Sequence, residues 1–178
     1  MRSIILPEDL TVTEESAFAE CPNLERIVFG TGFSRLDGTG VLQSCPKLTS
    51  VIIPESAPFT YIGSNCFLED TSLKTLSLPA SFVALSDTAL GSIENLILAD
   101  ESGTWYYTDG QSDWANWGSS TSELTPPNVT DNSHHYGLLS ELKDTYEQSI
   151  SGFPENGTVA EKLLFAAKNT GYYFYCVK

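Results

Sequence analysis

At 178 residues, 41% of them hydrophobic and 18% charged, the chain can bury the core of one elongated domain, or of a domain with an appendage, and it is not disordered throughout. Nine Lys+Arg against 23 Asp+Glu give a formal net charge of -14, which repels phosphate backbones and excludes nucleic acid as an expected partner. Its longest apolar stretches are strand-sized, well short of the ~20 residues of a membrane-spanning helix, so this segment is not expected to insert in a membrane.

In chain order, the first element is a short strand within residues 1–7, MRSIILP. The same pattern returns at 24–30 (LERIVFG), 48–54 (LTSVIIP) and 73–79 (LKTLSLP), with a shortened copy at 93–98 (IENLIL). Steps of 20 to 25 residues between these copies are those of stacked coils. Five parallel strands are therefore expected at 2–6, 25–29, 49–53, 74–78 and 94–98, with Ile4, Ile27, Val51, Leu76 and Leu96 in one buried column. Each unit carries a second apolar pair that closes the coil: Val12 and Phe18, Leu36 and Leu42, Ile62 and Phe67, Leu85 and Leu90. Cys21-Pro22-Asn23-Leu24 and Cys45-Pro46-Lys47-Leu48 then recur in phase, with Asp70 in the cysteine slot one repeat later. One coil cannot bury its apolar edge alone, so stability requires several in contact.

These residues resemble the BspA-like leucine-rich repeats of bacterial and protozoan surface proteins. Their units read roughly L-x-x-I-x-(I/L)-P, then I-(G)-x-x-x-A-F-x-x-C-x-x-L. The resemblance rests on Ser16-Ala17-Phe18-Ala19-Glu20-Cys21, on Tyr61-Ile62-Gly63 and on the proline after three of the strands. Gly30 in place of proline, Asp70 in place of cysteine and the short fifth unit depart from it. It implies a repeat solenoid over residues 1–100, with one parallel β-sheet face and short helical or irregular convex segments. It also implies adhesion or surface interaction, without a ligand. Met1 and Arg2 run straight into the first repeat, with neither a polar cap nor the features of an export signal. The expectation is a piece of a longer exported chain, with a short cytoplasmic protein as the alternative.

Residues 101–178 shift to aromatics, Gly, Ser, Asn and Asp, and an aromatic-rich α+β capping segment is expected there. Strands suit Trp105-Tyr106-Tyr107 and Tyr172-Tyr173-Phe174-Tyr175, and a loop suits 118–130. Leu139, Leu142, Tyr146 and Ile150 fall at helical spacing, and Thr158-x-x-Glu161 is a capping box ahead of Leu163, Leu164 and Ala167. The segment resembles the tail of some bacterial leucine-rich-repeat surface proteins. Its aromatics either bury the open edge of the last coil, at Leu96 and Leu98, or form a sugar-stacking platform together with Trp114 and Trp117.

Chemistry is sparse. His134-His135 has no nearby cysteine to complete a zinc site, and Asp109-Gly110-Gln111-Ser112-Asp113 lacks the distal glutamate of an EF-hand. No Gly-x-Ser-x-Gly elbow or phosphate-binding loop is present. No catalytic residue, metal or cofactor is therefore expected. The register brings Cys21 and Cys45 to within about a strand spacing, ~5 Å. They are expected as reduced thiols packing as small hydrophobes. On the strands, alternation sends the third and fifth residues outward. The third column is polar (Ser3, Arg26, Ser50, Thr75, Asn95), whereas the fifth reads Ile5, Val28, Ile52, Ser77 and Ile97. An aliphatic column facing solvent is either an interaction site or good strand sequence. The expected partner-binding residues are Ile5, Val28, Ile52 and Ile97, with Arg26 as a polar anchor, and the expected partner is a protein, such as one on a host or neighbouring cell. A structural spacer, or a carbohydrate-binding module using the C-terminal aromatics, is the alternative.

Overall fold

The computed structural model describes residues 2–108, 136–142 and 150–178. Its first face is built from β1 (Ser3–Ile5), β3 (Arg26–Val28), β5 (Ser50–Ile52), β7 (Thr75–Leu78) and β9 (Asn95–Leu98). These are the five strands expected from the repeat, each in parallel register with a neighbour. Ile27, Val51, Leu76 and Leu96 lie in the core, and Ile4 is half-buried because β1 is an edge strand. Prolines at 7, 54 and 79 lack the N–H that would carry the ladder further. At the matching position of the second coil a side chain does not fit. A Cβ on Gly30 would stand 2.5 Å from both the Pro7 carbonyl oxygen and the Glu8 Cα, so close approach of the first coil explains that departure from proline.

Two features correct the expected fold. The face is not one sheet: the ladder runs β1-β3-β5 and then stops, and β7 pairs only with β9. The second is that the intervening segments, mostly turns and irregular chain as expected, also carry short strands. Between the first-face strands lie two-residue strands β2 (Val12–Thr13), β4 (Arg35–Leu36), β6 (Tyr61–Ile62) and β8 (Ala84–Leu85), which stack in parallel as a second sheet. Residues Leu36, Ile62 and Leu85 point from it into the core. Beyond each such strand the chain passes through tight turns, with positive φ at Ser16, Glu20, Ser44, Asn65, Glu69 and Thr88. The turns stack too: Phe18 N–H donates to Val41 O at 2.8 Å and Leu42 N–H to Cys66 O at 3.1 Å. Coil-to-coil hydrogen bonds thus satisfy backbone groups that a buried loop would otherwise strand.

The C-terminal part extends the second sheet. Antiparallel β12 (Tyr173–Val177) pairs with β8, β10 (Thr104–Thr108) pairs with β12, and β11 (Tyr136–Leu138) pairs with β10. The one α-helix among the described residues, α1 (Val159–Asn169), packs against β9 and shields the end of the first face, leaving Leu96 buried and Leu98 half-buried. The expected capping box is present: the Thr158 hydroxyl accepts from Glu161 N–H at 3.2 Å, and Glu161 Oε2 accepts from Thr158 N–H at 2.8 Å. Where a further helix was expected, Leu139–Glu141 form a 3-10 turn that buries Leu139, followed by buried Leu142; Tyr146 lies outside the described residues.

Aromatics are not confined to the C-terminal segment. Phe29 and Phe33 stack at 4.1 Å between centroids, Phe33 and Phe59 at 5.7 Å, and Phe59 and Phe82 at 6.2 Å. Trp105 closes this column at 5.9 Å from Phe82. The column thus takes two rings from the second coil and one from each of the next two, and ends on the first aromatic of β10.

Candidate interaction surface

The first face presents its fifth-position side chains outward. Ile5, Val28 and Ile52 are register partners on β1, β3 and β5, and so form three successive rungs. Ile5 is 79% exposed, Ile52 36% and Val28 half-buried. Ile97 is 52% exposed, but it stands beside Ser77 on the separate β7–β9 pair. The expected column is thus two patches, divided by Ser77 and by the gap in the ladder.

Arg26 lies on the same face, exposed between Ser3 and Ser50. Its neighbours are engaged elsewhere. Arg2 faces Glu25 at 3.6 Å, Lys74 pairs with Glu94 at 2.6 Å, and Lys47 donates to Asn23 at 2.9 Å. The bond from Lys74 holds the Glu94 carboxyl below its ordinary range. Among the described residues no ion pair engages Arg26, so its guanidinium is available at the rim of the aliphatic patch.

Elsewhere the described residues offer little chemistry. No group of three His, Cys, Asp or Glu converges on a metal position among them. An open cleft of about 220 Å³ lies against the first coil, lined by Ile4, Glu20, Cys21, Pro22, Asn23 and Leu24. That is below the usual size of a small-molecule site, ~300 Å³ or more. The four cysteines are free thiols, three of them buried. Burial pushes the Cys45 and Cys176 thiols up to about 11, so neither is a nucleophile at neutral pH.

The described C-terminal aromatics are consumed by packing. Trp105 is buried, Tyr106 stacks on Tyr175 at 5.1 Å, and Tyr107 stacks on Tyr172 at 5.0 Å. They do not form an open platform. Trp114, Trp117, His134-His135 and the Asp109–Asp113 loop lie outside the described residues. Sequence reasoning overlooked the phenylalanine column, although Phe33, Phe59, Phe82 and Trp105 recur at intervals of 26, 23 and 23 residues. That period was the available signal.

A stacked-coil fold with an outward aliphatic patch defines the class as a repeat solenoid. The sequence pattern of the BspA type leucine rich repeat region matches residues 1–97 in six copies, one more than the five units counted from the strands. The chain belongs to that family. No curated protein matches it. Among solved structures it is similar to a leucine rich cell surface protein from Faecalibacterium prausnitzii A2-165, with 16% identity and a TM-score of 0.46 over 65% of this chain and 34% of that one. It is also similar to a leucine-rich-repeat protein of T. pallidum, with 18% identity and a TM-score of 0.41 over 54% of this chain and 57% of that one. The chain therefore spans about a third of the first protein's length and just over half of the second's.

Proposed function

We propose that the chain is a protein-binding module, acting in adhesion at a cell surface or after secretion, and that its partner docks on the first face over Ile5, Val28 and Ile52, with Ile97 as an outlying contact. One observation carries this reading: three aliphatic side chains on adjacent rungs face solvent in register, in a fold whose other large apolar groups are mostly buried. A contiguous apolar patch on a soluble fold is the usual mark of an interaction site. Arg26 supplies a directional polar contact at its edge, suited to a partner carboxylate.

Ile52→Asp tests the surface. The substituted carboxylate projects to solvent, so the fold should survive with an unchanged circular dichroism spectrum. A displayed library of folded protein domains, selected on the wild-type chain, should yield binders that lose at least tenfold in affinity for the variant. Binders that hold the variant equally well would place the contact elsewhere and sink the surface assignment.

A further inference from the structure

The slot that holds cysteine in two successive coils holds Asp70 in the next, and Asp70 is fully buried. Its Oδ1 accepts a hydrogen bond from Cys45 N–H at 2.7 Å, while Oδ2 has no partner. One coil earlier, the slot holds the Cys45 thiol, which donates to Phe18 O at 3.3 Å. A carboxyl group therefore occupies the place of a thiol, and its bond from Cys45 N–H joins the second coil's turn to the third's. That turn leads directly into β7, where the first-face ladder is interrupted. Side chains bridge the gap instead: Ser72 Oγ donates to Pro46 O at 2.6 Å, and Ala80 N–H donates to Glu55 Oε1 at 3.4 Å.

We propose that this junction is a pH-sensitive joint of the solenoid, closed when Asp70 is protonated and loosened when it ionises. A neutral carboxyl group leaves no unpaired charge inside, whereas a carboxylate with one orphaned oxygen must draw in water or move outward. The titratable groups facing it are the Cys45 and Cys66 thiols, both kept protonated by burial. No ion pair reaches it among the described residues. Adjacent Glu69 is engaged by the Ser44 hydroxyl at 2.7 Å. Burial raises the Asp70 carboxyl to about 7, against the opposing pull of the Cys45 N–H. An acid whose folded value lies above its unfolded value, about 4, stabilises the fold most below that lower value. Stability is then lost as pH rises from about 4 to about 7, and stays lost above it. The joint is thus stiffer in acid and looser at neutral and alkaline pH.

Hydrogen exchange and thermal unfolding of the wild-type chain between pH 5 and pH 8 test this, alongside Asp70→Asn and Asp70→Cys. Asn keeps an acceptor for Cys45 N–H without a charge, and Cys restores the residue of the sister coils. After correction for intrinsic exchange, wild-type protection of the Cys45 amide should fall at least tenfold across the range, and the unfolding midpoint should fall with it. Both profiles should flatten in the variants. The wild-type minus variant difference removes the contribution of every group other than Asp70. Constant wild-type protection of the Cys45 amide, or an unaltered pH profile in a folded variant, would overturn the proposal. Should Asp70→Asn fail to fold, the Asp70→Cys comparison decides.

Discussion

Leu76 shows how tightly a single side chain is tied to the repeat. It is fully buried on β7, in the strand column read from the sequence. Truncation to alanine removes apolar contacts that neighbouring coils cannot restore by collapsing. Leu76→Ala should cost about 2 to 5 kcal/mol, measured as the shift in a urea unfolding curve. A loss below about 1 kcal/mol would mean that the column repacks, unlike a close-packed interior. Such positions were legible because burial imposes the same residue type once per coil. Exposure was less legible. Ile5, Val28 and Ile52 do line up, yet no pattern of hydrophobicity announces that β7 fails to pair with β5, leaving Ile97 apart. That break depends on backbone geometry at a coil whose strand sequence, LKTLSLP, looks regular.

At the scale of elements, legibility follows length and chemical punctuation. The helix announced itself through Thr158 and Glu161, whose reciprocal bonds satisfy two backbone groups at its start. The structure adds a third bond that sequence spacing could not reveal: Glu101 Oε1 accepts from Ala160 N–H at 3.1 Å, across 59 residues of chain. This carboxylate at the helix N-terminus also opposes the helix dipole favourably. Thr158→Ala should therefore destabilise the chain by about 1 kcal/mol, with hydrogen-exchange protection reduced first at the N-terminal turn of α1. Uniform loss of protection along all coils would instead mean that the helix has no local stability of its own. By contrast, β2, β4, β6 and β8 were invisible as strands. Two residues are too few to show alternation, and their partners lie a whole coil away.

Across the whole molecule, the repeats and the C-terminal part share one hydrogen-bonded sheet and one core. Strand β12 continues the second sheet antiparallel from β8, Phe174 is fully buried, and Trp105 ends the phenylalanine column. A salt bridge of 2.8 Å from Lys178 to Asp100 fastens the C-terminal residue beside the end of β9, and its hydrogen bond holds the Asp100 carboxyl well below the usual carboxylate range. In a linear array with only nearest-neighbour contacts, the terminal part could melt alone. Here that part covers the apolar end of the last coils, so losing it exposes their core to water. All three tryptophans lie beyond residue 100, so their fluorescence reports on the C-terminal part, while far-ultraviolet circular dichroism reports on the strands throughout. The two urea transitions should coincide, as for a single cooperative unit. Phe174→Ala should move both together, by about 3 to 5 kcal/mol. Tryptophan fluorescence that changes at lower urea while circular dichroism stays native would show that the C-terminal part detaches first, leaving the coils folded without it.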